Sequence, residues 1–432
     1  MLPPLTIETL VNGGAGLARH QGHVVFIPHT AVGDRVRARL TRQKKNYLEA
    51  ELVEVLAAGE QRCVPLCPVA GECGGCQWQH LTYAAQLAWK ETLFHDTLTH
   101  QCGATEEVLA PIIPSPRQWH YRSRVQVKCY NSAAGFSVGF YRPRSRYVVA
   151  IQQCPIMAPA LNELLVLLHR GIAGTEHAGF IPQLDLAVDD CGKTSVVVHY
   201  IGEKRTALVA LLQSLRLKGD ILVQYRTKKT LGLIQGDGIM QIHVDNPQMS
   251  LAYATGSFAQ INLAQNRNLV DRVLALVPWR QTDQVLELYC GMGNFSLPIA
   301  RRVAHLVGVE ESATAIAMAQ SNAARNRCHN TEFYPIDAEA ALQRAELQRN
   351  YDTLVVDPPR TGAYSVIKGL AGRGIRNLVY ISCDAQTLAR DLRPLLQQGY
   401  RIVKSQPLDM FPQTYHCESV TFLQKDASCG AA

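Results

Sequence analysis

The chain has 432 residues, a hydrophobic share of 47% and a formal net charge of +7. Such a length exceeds one ordinary core and predicts two or three domains; without an apolar run of about eighteen residues, no segment is expected to span a membrane. Thirteen cysteines, an odd number in a long chain, point to reduced thiols, a metal site or a catalytic thiol rather than a disulfide framework. The opening "MLPPLTIETL" lacks the basic and apolar halves of a signal peptide, so a cytoplasmic location is expected. Nothing in the pattern calls for a protein partner, and a monomer is expected.

Residues 1–58 alternate like strands and carry turn glycines, which predicts about five short strands in a small OB-like barrel, a common nucleic-acid platform. Arg35, Arg37, Arg39, Arg42, Lys44 and Lys45, with Tyr47 beside them, form a basic stripe with one aromatic. Their charges are nearly all of one sign, which favours RNA contact over a merely solvated face.

Residues 59–257 mix strands and helices and predict an α+β central domain without repeats. Early in it, "CPVAGECGGCQWQH" places Cys67, Cys73 and Cys76 in a glycine-containing loop. Three clustered thiolates can fold around a metal or a cluster if a further ligand joins them, and the spacing alone leaves zinc open. Cys63 is an additional nearby thiol. Further on, "WHYRSRVQVK" and "GFYRPRSRYVV" interleave arginines with aromatics. Strand alternation puts Arg122 and Arg124 on one face, and with Arg142, Arg144 and Arg146 they are expected to meet phosphates.

From residue 258 the pattern becomes strand–helix–strand. "QVLELY", "HLVGVE", "DTLVVD" and "NLVYIS" are continuous apolar runs, as in parallel strands buried on both faces. They predict a Rossmann-like α/β domain over 258–432. "YRIVKSQPLDMF" and "HCESVTFLQK" follow without an intervening helix and predict an antiparallel pair at the sheet edge, the last strand inserting beside strand five. In "LELYCGMGNFSLPIA", Gly291 and Gly293 supply a tight turn, but Ser296 stands where a dinucleotide fingerprint wants a third glycine. A cofactor without a pyrophosphate is therefore expected. Glu310, ending strand two, suits two ribose hydroxyls, and S-adenosylmethionine offers those without phosphates.

Cys383 follows "NLVYIS" at the exit of strand five, on the same sheet edge as Asp357 in "VVDPPRTG"; "HCESV" then brings Glu418 to the start of the last strand. Free cysteine is usually buried packing, but packing would favour a mid-strand position. A thiol and a carboxylate beside a methyl donor solve one problem: carbon 5 of uracil is too weak a nucleophile to attack a sulfonium methyl. A thiolate adding at carbon 6 makes it one, and a base then removes the carbon-5 proton and lets the thiol leave. Cys383 is the expected nucleophile and Glu418 the expected base.

Taken together, "FAQIN", "YCGMGNFSLPIA", "DPPR", "SCDAQTLARD" and "MFPQTYHCESV" resemble the RNA uracil-C5 methyltransferase family, and the N-terminal segment resembles a TRAM domain. The likeness covers nearly the whole chain and is greatest to the branch acting on 23S ribosomal RNA. It implies an S-adenosylmethionine pocket lined by Gln260, Tyr289, Asn294, Glu310, Asp337 and Asp357. It also implies a [4Fe–4S] cluster on Cys67, Cys73, Cys76 and Cys154, read as structural or RNA-positioning because carbon-5 methylation needs no radical chemistry. The family's Ser-Cys-Asn-Pro is Ser382-Cys383-Asp384-Ala385 here, and the added charge of Asp384 is expected to oppose a thiolate. RNA cytosine-C5 enzymes usually carry a second cysteine where this chain has Asp-Pro-Pro-Arg, so uracil is favoured. The other readings are a tRNA uracil-C5 enzyme and a non-catalytic iron–sulfur RNA-binding protein; intact Cys383 and Glu418 weigh against the latter. Cys102, Cys129, Cys191, Cys290, Cys328, Cys417 and Cys429 are expected to be packing or incidental.

Overall fold

Three large sheets and one hairpin carry the chain in the computed structural model, which describes residues 1–426 apart from 228–229, 246–248 and 371–372. Cys429 lies outside the described residues. The first sheet has six strands between Leu5 and Ala57. Its alternating side chains close over a small core of Leu5, Ile7, Val25, Ile27, Val36 and Ala38. The register of Arg35–Gln43 against Tyr47–Ala57 sets Arg37 opposite Glu54, Arg39 opposite Glu51 and Arg42 opposite Glu49. Arg37 and Arg39 form ion pairs with those glutamates. The stripe expected to be of one sign is thus a mixed ladder, because antiparallel pairing brought acids from the next strand onto the same face.

The central sheet has seven strands, with Gln183–Val188 flanked by Thr194–Tyr200 and Arg124–Ser132. Helices Pro159–Ile172 and Arg205–Ser214 bury their leucines against it. Arg124, expected to meet phosphate, is engaged within the protein. Arg124 donates to the carbonyls of Ser257 and Gly256, the latter at 3.2 Å, and Arg122 lines an internal cavity. The backbone at Arg122 bridges to Asn262, and the Arg124 guanidinium is held by the 256–257 carbonyls. Arg144 is the most exposed of the paired arginines, its side chain 88% exposed and 3.7 Å from the Glu49 carboxylate.

The third sheet runs in the order Thr331–Pro335, His305–Glu310, Gln284–Leu288, Thr353–Val356, Asn377–Ser382, Glu418–Lys425, Tyr400–Leu408. The first five are parallel, and Glu418–Lys425 inserts antiparallel between its neighbours. That is the expected doubly wound sheet with its antiparallel edge. Two segments from before residue 258 pack onto it. The hairpin Ile239–Val244/Met249–Ala254 joins the core on one face, and helix Tyr83–Cys102 contributes Phe94 and Leu98 on the other. That helix starts on Thr82, whose hydroxyl accepts from the Ala85 N–H at 3.3 Å, and stops at Gly103 with φ of 68°. Such a left-handed stop suits glycine because no Cβ meets the preceding turn.

Candidate active site: an acidic cavity and a buried thiol corner

The cofactor-side cavity opens at the C-terminal ends of the parallel strands, the usual ligand crevice of such sheets. It holds about 740 Å³. Gln260, Tyr289, Asn294, Glu310, Asp337 and Asp357 all line it. Strand Gln284–Leu288 breaks into the turn with Tyr289, Gly291 and Gly293 at positive φ (64°, 55° and 94°). Ser296 donates to Glu287 at 2.6 Å, tying the following turn to the strand where a dinucleotide fold needs bare glycine. Asn294 and Asn266 exchange amide hydrogen bonds of 2.8 and 3.0 Å. Glu310 caps the Ser312 N–H at 2.9 Å, and Asp337 caps the short helix Ala338–Ala341.

The cavity's charge is informative. Glu310, Glu311, Asp337, Glu339 and Asp357 line it, against Arg390 as the cation among the described lining residues. Such a wall repels a pyrophosphate and suits an adenosine bearing a sulfonium and an ammonium group. Burial pushes the Asp357 carboxyl up to about 7.

The thiol corner lies at the neighbouring strand ends. Cys383 follows strand Asn377–Ser382 and precedes helix Ala385–Gln397. Asp384 is the N-cap of that helix and accepts from the Thr387 N–H at 2.9 Å. Aspartate and asparagine cap equally well, and alanine is tolerated where proline often stands. The departure at 384–385 therefore preserves the turn. Besides the opposition expected from Asp384, Glu418 and Asp357 act to raise the thiol and Arg360 to lower it. Burial, then Glu418, pushes Cys383 up to about 11, while a hydrogen bond from Arg360 acts the other way.

Glu418 opens the strand antiparallel to that of Cys383, with Ser419 in register with Ser382. It is 4% exposed. Burial and then Asp357 raise its carboxyl to about 8, so it rests largely protonated at neutral pH. Arg360 Nη2 also lies 2.8 Å from His416 Nε2. Burial and the Arg360 charge lower His416 to about 4, which leaves the ring neutral. Arg360, His416 and Cys417 escaped sequence reasoning as members of this corner. Their signal was adjacency: Arg360 follows Asp357-Pro-Pro, and His416 and Cys417 precede Glu418.

A third cavity is walled by Cys67, Cys73, Cys76 and Cys154, with Arg122 among its other residues; Cys63 is not part of it. Its sulfurs feel one another: burial first, with neighbouring thiols adding, pushes Cys76 up to about 12 and Cys154 up to about 11. Backbone N–H groups face the sulfurs, from Gly75 to Cys73 at 3.4 Å and from Ile156 and Met157 to Cys154. Among the described residues, no three His, Cys, Asp or Glu side chains are drawn close enough to hold a single metal ion. Cys63 instead donates to the Gln79 carbonyl at 3.4 Å. Of the cysteines expected to be packing, Cys129, Cys290 and Cys328 are buried and Cys191 is exposed.

Comparison with known proteins gives a consistent picture. The family described as tRNA (Uracil-5-)-methyltransferase matches residues 82–426, and the TRAM domain matches residues 4–53. The chain is 33% identical to the 23S rRNA (uracil(1939)-C(5))-methyltransferase RlmD of Alkalilimnicola ehrlichii, over 98% of this chain and 96% of that protein. To the protein of the same description from Shewanella woodyi it is 32% identical, over 97% and 95%. Among solved structures, the Pyrococcus abyssi tRNA (uracil-54, C5)-methyltransferase in complex with S-adenosyl-L-homocysteine superposes with a TM-score of 0.76 at 24% identity, covering 97% of this chain and all of that one.

Proposed function

Since the chain belongs to the tRNA (uracil-5-)-methyltransferase family and carries a TRAM domain, we propose that it methylates carbon 5 of one uridine in 23S ribosomal RNA, the position corresponding to uracil 1939 of its relatives. The observation that carries this reading is the adjoining of an acid-lined cavity to a corner where a thiol, a buried carboxyl and an arginine converge.

The cavity fits S-adenosylmethionine, which when bound supplies an electrophilic methyl group. Glu310 takes the ribose hydroxyls, and Gln260, Tyr289, Asn294, Asp337 and Asp357 complete the walls. Cys383 adds to carbon 6 of uracil as a thiolate, a form that Arg360 favours against the opposing charge of Glu418. Carbon 5 thereby becomes nucleophilic and would take the methyl as its bond to the sulfonium sulfur breaks, leaving S-adenosylhomocysteine. Glu418, as carboxylate, then removes the carbon-5 proton, the carbon–sulfur bond breaks, and the double bond re-forms.

Cys67, Cys73, Cys76 and Cys154 are the ligands of a [4Fe–4S] cluster in this reading. Four thiols share one cavity yet do not close on a single ion. The resemblance to the RNA uracil-C5 methyltransferase family is what favours a cluster over zinc here. N–H groups facing the sulfurs are the usual surroundings of such a cluster. Protein purified without oxygen should be brown and carry about four irons per chain; stoichiometric zinc without iron would overturn the assignment.

Mass-spectrometric mapping of 5-methyluridine in RNA from cells with and without the gene tests the substrate. Loss of one 23S methyluridine is expected. Loss from tRNA alone would contradict the ribosomal assignment.

A further inference from the structure

The loop between strands Tyr400–Leu408 and Glu418–Lys425 delivers His416 and Glu418 to the thiol corner. Its consecutive carbonyls are tied from outside. Asn262 holds that of Met410 at 3.2 Å, Lys90 that of Phe411 at 3.0 Å and Tyr121 that of Pro412 at 3.0 Å. The Gln413 carbonyl accepts from the N–H groups of Gln77 and Trp78 at 3.1 and 3.0 Å.

Three of the anchors come from one face of helix Tyr83–Cys102, at the spacing that aligns side chains along a helix. Lys90 Nζ meets Asp409 Oδ1 at 2.5 Å, both side chains fully buried. Tyr83 donates to Asp409 Oδ2 at 2.8 Å. Gln86 clasps Gln413 twice: it accepts from its N–H at 2.8 Å and donates to its side-chain oxygen at 3.0 Å. Gln413 sits at φ of 70°, a left-handed conformation costly for any residue but glycine. Surrounding bonds must hold such a residue there, and strain of this kind gathers where a chain is aimed at a task.

A buried lysine–aspartate pair is an expensive way to gain stability alone, because both ions lose their water. Here it fixes the residue next to Leu408, and Leu408 lies in register with Glu418. We propose that Tyr83, Gln86 and Lys90 are positioning residues for the proton-removal step: they aim the loop that sets Glu418 against the Cys383 adduct, and have no part in cofactor binding or thiol addition. This rests on the methyltransferase reading above.

Full-length protein carrying Gln86→Met is the first test. Lys90→Met leaves the Asp409 charge buried without its cation, so Lys90→Met/Asp409→Asn is the second. Each is assayed with an unmodified 23S rRNA transcript and with the same transcript carrying 5-fluorouridine. The fluorinated RNA counts adduct formation, and ordinary uridine reports release. The variants should form the adduct at a rate within about twofold of the unaltered protein. Release should slow about a hundredfold, the cost of misplacing a catalytic group by roughly 1 Å, with adduct accumulating on uridine. If addition and release fall by the same factor, or neither falls, the network is merely structural and the proposal is wrong. An unaltered protein that forms no adduct would instead overturn the methyltransferase reading itself.

Discussion

The acidic cavity and the thiol corner share one edge of one sheet but are assembled differently. Tyr289, Glu310, Asp337 and Asp357 each stand at or just beyond the end of a parallel strand, so local strand–turn chemistry places them. The corner draws on chain far apart in sequence: Cys383 after one strand, Arg360 in the loop before the preceding helix, His416 and Glu418 from a loop held by residues within 77–121 and by Asn262. A binding surface made of consecutive βα turns tolerates change in one turn without losing the others. A reacting pair made of distant segments depends on every anchor. Damage to the cavity should therefore show in affinity, and damage to the corner in the chemical steps.

Replacement of the base should have the largest effect. Glu418→Gln is expected to lower turnover by about 10²–10⁴-fold, the usual worth of a general base. Cofactor affinity measured by calorimetry should stay unchanged while adduct persists on ordinary uridine. A matching loss of cofactor affinity would erase the contrast between the two regions.

Glu310→Ala should do the reverse. Losing hydrogen bonds to a charged group costs about 1.5–3 kcal/mol, or roughly 10- to 100-fold in Kd. At saturating cofactor the rate of adduct formation should recover. A defect that survives saturation would place Glu310 in the chemistry instead.

Acidity offers a gentler probe of the corner. Burial and Asp357 raise Glu418 to about 8, and only its carboxylate can take the carbon-5 proton. Single-turnover release of product should therefore rise about tenfold per pH unit below that value and level off above it. A flat profile between pH 6 and 8 would mean that Glu418 is already ionised, or is not the base.

The smallest effect belongs to the N-terminal ladder. Arg37 and Glu54 are both about half exposed, and exposed pairs of this kind contribute about 0–1 kcal/mol. Arg37→Gln should shift thermal stability only slightly, and should reduce the salt dependence of RNA binding by less than Arg144→Gln does. Equal effects on the salt slope would show that the Arg37–Glu54 pair opens onto phosphate.

Most of the fold was legible because the determinants are local. Apolar runs bounded by glycine turns marked the parallel strands, and two strands without a helix between them marked the antiparallel edge. Glu310 and Asp357 followed for the same reason, since they stand at strand ends, whereas the rest of the cavity lining was implied by the family resemblance. What escaped is set by register and long-range packing. Nothing in "RVRARLTRQKK" says that Glu49, Glu51 and Glu54 will lie opposite its arginines. Arg124 reads as a phosphate ligand until the 256–257 turn is seen taking its guanidinium. Lys90 looks like any solvated helix lysine, yet it is buried against an aspartate 319 positions later in the chain. Asp384, which raised a concern about charge, turned its carboxylate into the helix as a cap.

The account turns on whether Cys383 makes the covalent bond to carbon 6. An RNA carrying 5-fluorouridine at the target tests this directly, because fluorine cannot leave as a cation and Glu418 then has no proton to remove. Incubated with S-adenosylmethionine, the unaltered protein should give a protein–RNA band that survives denaturing electrophoresis, and peptide mapping should place the link on Cys383. Cys383→Ala should give neither the band nor turnover on ordinary RNA. Near-normal methylation by Cys383→Ala protein would contradict the account and return this thiol to the packing role its burial first suggests.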